Sequence, residues 1–229
     1  MIQARFWFPI SLLGWKYWLP ILIGGGILTV VMGLLIPPLA CIAAIVTVAM
    51  LLFFRDPLRD VPSDADVMVS PADGRITEIS TVESGAWIES PALKVGIFLS
   101  VLDVHINRSP CDGVIKSIVF EPGSFLDARH SAAGLKNQSN NLTMETPWGR
   151  VVVRQIVGAI ARRIICPQMV GDSLTRGERF GMIAFGSRTE LMVTDPEGWE
   201  PCVKVGEKVF AGQTIVLRRR RLKTDAAAA

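Results

Sequence analysis

Two short segments, GDSLTRG at residues 171–177 and GEKVFAG at residues 206–212, follow one pattern: a glycine, an acidic residue, any residue, an apolar residue, two further residues and a glycine. The segments begin 35 residues apart. Glycines at such positions suit tight turns that need a positive φ angle, which other residues rarely adopt. The pattern therefore predicts two similar turn-and-strand units within a β-rich domain.

Short runs of β-forming residues surround these two units and are separated by Gly, Pro and Asp. We predict strands at residues 67–69, 75–79, 94–99, 113–120, 150–156, 182–185, 191–193 and 214–217. Residues 125–133 and 159–165 are the best candidates for short helices. The domain after residue 60 is thus predicted to be mainly β (α+β).

The turn Pro71-Ala72-Asp73-Gly74 precedes one of these strands. Together with the repeated glycine pattern, it resembles the barrel-sandwich architecture of lipoyl and biotinyl carrier domains. Those carriers display a modifiable lysine at the tip of a hairpin, and no matching lysine motif is present in this sequence. The resemblance therefore implies a barrel-sandwich-like fold but argues against a carrier function.

The composition changes sharply after Phe54. The first 54 of the 229 residues include 39 hydrophobic residues and only two charged ones, whereas the other 175 residues carry 43 charges. Residues 17–36 form an uncharged run of about the length that spans a hydrocarbon core, and a shorter run, 39–54, follows Pro37-Pro38. Because the prolines interrupt the helix, we predict a transmembrane or membrane-embedded helical hairpin in residues 1–60 and a water-facing domain in residues 61–229.

Basic residues lie on both sides of the predicted hairpin: Arg5 and Lys16 before it, Arg55 and Arg59 after it. By the positive-inside tendency, both flanks and the water-facing domain are expected on the cytoplasmic side of the inner membrane. A cleaved signal peptide fits poorly, because the first apolar run is long and a second follows it at once. Cys41 weakly resembles a lipoprotein acceptor, but a proline precedes its Leu-Ala pair.

The net charge of +3 is concentrated at the ends of the chain, and the body between Arg55 and Leu217 is mildly acidic. This distribution argues against a nucleic-acid-binding surface. The basic run at residues 218–221 is either a solvated tail or a contact with anionic lipid head groups. Four cysteines without CxxC spacing and only two histidines indicate neither a disulfide framework nor a metal site.

Three residues at predicted strand ends have side chains suited to chemistry. Ser187 follows Gly186 in the segment FGMIAFGSR at residues 180–188, and glycine leaves its carbonyl accessible to the serine hydroxyl. Asp73 lies in the turn before a strand and His105 at the end of one. Taken singly, each residue is more often structural, since Gly-Ser pairs and Asx turns are common. Taken together, Asp, His and Ser could form a relay that activates a hydroxyl.

The chain after Arg55 resembles the phosphatidylserine decarboxylase proenzymes in their short bacterial and archaeal form. The similarity lies in four segments in the same order: SPADG at 70–74, residues 98–110, ARRI at 161–164 and GERFGMIAFGSR at 177–188. The arrangement of Arg-Phe-Gly before Phe-Gly-Ser-Arg is highly specific. A hydrophobic N-terminus is also typical of that family.

The resemblance implies a self-processing zymogen with a covalent pyruvoyl cofactor. The Ser187 hydroxyl would attack the Gly186 carbonyl, and elimination would then leave a pyruvoyl group at position 187. The products would be a β chain of residues 1–186 and an α chain of 43 residues, 187–229, held together as a heterodimer; a higher oligomer is left open. His105 would act as the base, and Asp73 would orient its imidazole.

The implied activity is a lyase reaction of phospholipid biosynthesis. The pyruvoyl group would form a Schiff base with phosphatidylserine and accept electrons as carbon dioxide leaves, yielding phosphatidylethanolamine at the cell membrane. Two alternatives stay open: a membrane-anchored barrel-sandwich adaptor without catalysis, and a pyruvoyl decarboxylase of another substrate, either a soluble amino acid or an amino-acid-headed lipid such as archaetidylserine.

The sequence departs from the longer members of that family at one position. They carry a second histidine three residues after the first, where this chain has Arg108. Either His105 serves both self-cleavage and decarboxylation, or Arg108, Asn107 or water takes one role, with His130 a poor substitute. Four arginines are candidates for binding the phosphate or carboxylate of the substrate: Arg108, Arg162, Arg163 and Arg188.

Overall fold

The structure is a computed structural model that describes residues 10–85, 87–159, 163–184 and 187–220. Its α-helices are α1 (Trp15–Leu35), α2 (Pro37–Leu52) and α3 (Ser131–Lys136). Its strands are β1 (Val67–Val69), β2 (Gly74–Val82), β3 (Ala92–Leu99), β4 (Ile106–Arg108), β5 (Gly113–Glu121), β6 (Ser139–Thr146), β7 (Gly149–Val157), β8 (Arg163–Ile165), β9 (Ser173–Leu174), β10 (Arg179–Ala184), β11 (Ser187–Thr194), β12 (Trp199–Pro201), β13 (Lys208–Val209) and β14 (Ile215–Arg219).

The two N-terminal helices form the hairpin that the apolar runs predict. Only Ile36 separates them, with extended backbone angles, and the two prolines after it occupy the first positions of α2. A residue before proline avoids the helical region, whereas proline itself suits the first turn of a helix. Most of the large apolar side chains of the hairpin are exposed, and residues 12–35 are long and apolar enough to cross a membrane.

Eight antiparallel strands form one curled sheet in the order β13-β2-β3-β11-β7-β6-β5-β9. The two glycine-bounded segments supply its two edge strands, β9 and β13, and all four of their glycines have positive φ angles, as predicted. The repeated pattern thus marks the two ends of the sheet. The domain is mainly β, which confirms the fold class predicted from the sequence.

Two three-stranded sheets accompany the large sheet, in the orders β1-β14-β12 and β4-β10-β8. Side chains from the large sheet and from β12 share one buried apolar core, which includes Ile97, Ile115, Leu191 and Trp199. A second cluster joins the base of the hairpin to the β4-β10-β8 sheet through Phe53, Phe54, Val104, Ile106 and Met182. The hairpin is therefore packed directly against the sheet whose strand β4 follows His105.

All eight predicted strands are present, with bounds that differ by a few residues. The predicted helix at 125–133 is wrong in position, because the helix observed there begins only at Ser131. The predicted helix at 159–165 is wrong over the residues that are described, since residues 163–165 pair with β10 as strand β8. Tertiary pairing outweighs local preference in such short apolar stretches.

Candidate active site

Ser187 is the first residue of β11, the central strand that pairs with β3 and β7. It lies opposite Leu99 on one side and Val157 on the other, and it is fully buried. Strand β10 belongs to a different sheet, and only residues 185 and 186 separate it from β11. The predicted cleavage site, between Gly186 and Ser187, therefore falls at the link between two sheets, although Gly186 itself lies outside the described residues.

The hydroxyl of Ser187 is an unusual buried group. Among the residues that the structure describes, it has no hydrogen-bond partner. A buried hydroxyl without a partner costs on the order of 1–3 kcal/mol, so its presence calls for an explanation, and a reactive role would supply one. Its position and its lack of a partner fit a hydroxyl that is held ready for reaction.

His105 lies immediately before β4 and beside the last residues of β10. The backbone N–H of Ile183 donates a hydrogen bond to the carbonyl oxygen of His105, at 3.2 Å. The Nδ1 atom of His105 lies 2.9 Å from the backbone oxygen of Asp103. Because a carbonyl oxygen only accepts, Nδ1 carries the proton, and the lone pair of the neutral ring is on Nε2.

Burial controls the charge of this imidazole. His105 has no exposed surface, and the Phe53 ring lies 4.3 Å from it, centroid to centroid. Burial lowers the pKa of His105 to about 4, against a smaller opposing effect of the Asp103 carbonyl, and nearby Arg55 lowers it further. The ring is therefore neutral near pH 7, which is the form that a general base requires.

Asp73 lies at the same end of the sheet as Ser187. Strand β2 begins at the next residue and pairs with β3, which in turn pairs with β11, so two strand spacings, about 10 Å, separate the backbones. The Asp73 carboxylate accepts hydrogen bonds from Arg59, at 2.7 Å and 2.9 Å, and from the Ala211 N–H, at 2.8 Å. Burial raises the pKa of Asp73 even though Arg59 opposes the shift.

The structure differs from the sequence prediction in the partner of the imidazole. Nδ1 of His105 faces the backbone carbonyl of Asp103, whereas the Asp73 carboxylate is held by Arg59 and Ala211. The turn that supplies the carbonyl is itself fixed, because the Ser100 N–H and hydroxyl both donate to the Asp103 carboxylate at 2.8 Å. Backbone geometry, rather than Asp73, thus orients the ring.

A buried polar network lies on the same face of β11 as Ser187, because alternate residues of a strand share a face. The Asn107 amide donates to the Thr189 hydroxyl at 3.0 Å, and the Gln155 amide donates to the Asn107 side-chain oxygen at 2.9 Å. A Cβ atom at position 181 would lie 2.5 Å from the backbone oxygen of Ile165 and 2.7 Å from the Gln155 amide nitrogen, so glycine is needed there. The network attaches β4, and with it the segment of His105, to the sheet of Ser187.

Two of the predicted substrate-binding arginines are engaged in buried ion pairs. Arg188 points to the opposite face of β11 from Ser187 and binds Glu190 at 2.8 Å and Glu78 at 2.7 Å. Arg108 binds Asp56 at 2.7 Å, and burial lowers the pKa of Arg108 to about 10, so it stays charged near pH 7. Arg108 therefore cannot act as a base, and it attaches the segment after the hairpin to the domain.

The other candidates differ in accessibility. Arg163 is exposed, and its guanidinium lies 5.9 Å from the centroid of the Tyr17 ring in α1, so it faces the base of the hairpin. Arg162 lies outside the described residues. His130 is exposed at the start of α3. In the part of the chain that the structure describes, its segment forms no strand pairing with β4 or β10. Of the three candidate arginines that the structure describes, Arg163 is the one that is exposed, and it lies beside the hairpin.

The fold and this site define a class: a mainly β protein with a buried serine at the start of a central strand. Two relatives identify its family by sequence. The phosphatidylserine decarboxylase proenzyme of Beijerinckia indica is 41% identical over 205 residues, which cover 88% of this chain and 87% of the relative. The proenzyme of Nitratidesulfovibrio vulgaris is 47% identical over 168 residues, 73% of this chain and 76% of the relative.

The family model for phosphatidylserine decarboxylase matches residues 46–217. The chain belongs to the phosphatidylserine decarboxylase family. It is thus an enzyme of a decarboxylase family, which excludes the non-catalytic adaptor that the sequence left open. The matched region begins near the end of α2 and includes Asp73, His105 and Ser187.

Proposed function

We propose that this chain decarboxylates phosphatidylserine to phosphatidylethanolamine for phospholipid biosynthesis, with a pyruvoyl group that it makes from its own Ser187. The observation that carries the proposal is the buried Ser187 hydroxyl, which has no partner among the described residues and follows a two-residue link between sheets. Purified protein in detergent, given phosphatidylserine labelled in the serine carboxyl group, is expected to release labelled carbon dioxide. Absence of release from fully cleaved protein would refute the proposal.

Self-cleavage begins with the Ser187 oxygen. The oxygen attacks the Gly186 carbonyl carbon as the proton passes to a base, and the peptide C–N bond breaks, which leaves an ester and a free amine. Loss of the Cα proton of residue 187 expels the Gly186 carboxylate and leaves dehydroalanine. Water then replaces the nitrogen, which departs as ammonia, and the small chain is left with a ketone at its N-terminus.

His105 is the base that we assign to these proton transfers. Its Nδ1–H is committed to the Asp103 carbonyl, so its Nε2 lone pair is the basic position. Its segment runs beside the C-terminal part of β10, which ends three residues before Ser187. With Arg108 held in an ion pair, we propose that His105 serves both maturation and the later proton transfers.

The residues present fit a pyruvoyl group at position 187. Such a group supplies a carbonyl that binds the substrate amine and takes up electrons as carbon dioxide departs. Strands β3 and β7 would hold the new N-terminus by backbone hydrogen bonds on both sides, so that the α and β chains stay together after cleavage. The Asp73 carboxyl, whose pKa burial raises, is suited to giving or taking a proton at this end of the sheet.

The low pKa of His105 predicts how maturation depends on pH. Only the neutral ring accepts the serine proton, so the cleavage rate should stay level as pH falls from about 8 and drop to half only near pH 4. The experiment uses proenzyme with a photocaged Ser187, uncaged in buffers of different pH and analysed by gel. A half-maximal rate near 6.5, the ordinary value for histidine, would contradict a buried neutral base.

We also propose that the hairpin anchors the enzyme in the inner membrane with its catalytic domain in the cytoplasm. The exposed apolar surface of α1 and α2 and the basic residues that flank them support this topology. The protein should stay in the membrane pellet after a carbonate wash. A membrane-impermeant maleimide should label the exposed Cys202 only after the cells are opened. Labelling in intact cells would reverse the topology.

A further inference from the structure

An apolar groove runs between the two helices of the hairpin. It has a volume of about 480 Å³, and its walls include Ile21, Leu28 and Met32 from α1 and Leu39, Val46 and Met50 from α2. Its one hydroxyl, on Thr47, donates to the Ala43 carbonyl at 2.8 Å and is already satisfied. The groove therefore offers a purely apolar surface to its occupant.

The length of the groove corresponds to one leaflet of a bilayer. From Ile21 to Met32, the rise of an α-helix gives about 16 Å. The hydrocarbon core of a bilayer is about 30 Å thick, so each leaflet contributes about half of that. The groove extends from Ile21 and Met50, on the side of the catalytic domain, to Met32 and Leu39 near the turn at Ile36.

The base of the groove adjoins the apolar cluster that packs beside His105. Ile21 packs against the cluster that contains Phe53. Phe53 follows Met50 by three residues and Val46 by seven, which places all three on one face of the helix and of the turn after it. The Phe53 ring then lies 4.3 Å from the His105 ring, centroid to centroid. The Phe53 ring therefore links the base of the groove to the His105 segment by direct packing.

We infer that this groove binds one acyl chain of the serine phospholipid substrate and so delivers its head group to His105 and Ser187. The inference rests on the proposed function, to which it adds the binding site for the lipid tail. The tail gains apolar contacts with both helices, while the head group meets the polar end of the domain where Arg163 is exposed. A hairpin serves here as part of the substrate site and not only as an anchor.

Two glycines of α1 provide a matched test. A Cβ atom added at either Gly24 or Gly26 would meet no other atom within 4 Å, so both positions tolerate a side chain, and both are exposed. Of these two glycines, only Gly24 lines the groove. Gly24→Leu would place a bulky side chain in the groove, whereas Gly26→Leu adds the same side chain to the same helix outside it. Both changes favour helix formation, so loss of the hairpin is not expected.

The first readout is selectivity for tail length. We measure kcat/KM for long-chain phosphatidylserine and for glycerophosphoserine, which has no acyl chains, and take the ratio. Gly24→Leu should lower the ratio about tenfold, since the long chain loses its apolar contacts, and Gly26→Leu should leave it unchanged. Equal ratios in the two variants would overturn the inference. Failure of the unaltered enzyme on both substrates would instead refute the proposed function.

The second readout does not depend on turnover. Phosphatidylserine with a photoreactive group in the middle of one chain is added to Ser187→Ala protein, which cannot consume it. Labelling should fall on the groove face of α1 and α2, should drop in the Gly24→Leu background, and should be displaced by unlabelled phosphatidylserine more strongly than by phosphatidylcholine. Equal displacement by the two lipids would show a groove filled by any neighbouring lipid and would contradict the inference.

Discussion

Ser187→Ala is expected to remain a single chain of 229 residues and to release no carbon dioxide from phosphatidylserine. The hydroxyl is the nucleophile that forms the ester, and elimination of that ester creates the ketone, so its loss stops both events. The substitution removes one oxygen that has no partner among the described residues, so the fold should be unharmed. Gel analysis and mass spectrometry of the purified protein measure the outcome.

Ser187→Cys is the matched control for this loss. A thiol is also a nucleophile, so this variant should cleave through a thioester, with slower formation of the pyruvoyl group. Cleavage between residues 186 and 187 in Ser187→Ala would show that another group attacks the bond. That result would remove Ser187 from the role of nucleophile.

His105→Asn is expected to slow maturation by about 10²- to 10⁴-fold, the usual contribution of a general base. The asparagine amide can still donate to the Asp103 carbonyl, as Nδ1 does, but it has no basic nitrogen. The change thus separates the loss of the base from the loss of a buried hydrogen bond. The half-time of cleavage after cell-free synthesis is the measurement.

His130→Ala provides the comparison for the histidine variant. His130 is exposed and makes no side-chain cap to α3, so its loss should leave the half-time unchanged. Thermal unfolding of His105→Asn, compared with that of Ser187→Ala, checks that the variant folds. Equal half-times for His105→Asn and His130→Ala would exclude His105 as the base and would favour water in that role.

Much of the fold could be predicted from local patterns. The glycine-bounded repeats predicted turns with positive φ, and these turns carry the two edge strands of the large sheet. The sequence pattern predicts no strand at β6, since asparagines such as Asn140 and Asn141 are uncommon in strands. Both asparagines are buried in the structure, where Asn140 donates to Gln155 at 3.0 Å and Asn141 accepts from Arg154 at 2.9 Å.

The candidate site was predictable only in part. Motif similarity indicated Asp73, His105 and Ser187, and the strand order brings the last two segments together through β4 and β10. The role of the Asp103 carbonyl could not be predicted, since a backbone oxygen leaves no signature in the sequence. The strand predicted at residues 191–193 stops short of Arg188, whereas β11 begins at Ser187. A strand predicted from residue 187 would have placed Arg188 on the opposite face from Ser187, because side chains alternate along a strand.

The mass of the small fragment from the unaltered protein tests the central claim most directly. The account predicts a 43-residue chain, residues 187–229, that is lighter than the same chain with an N-terminal serine by the elements of ammonia. Reduction with borohydride should add two hydrogens to it. An active protein that is uncleaved, or whose small fragment begins with an ordinary serine, would contradict the account.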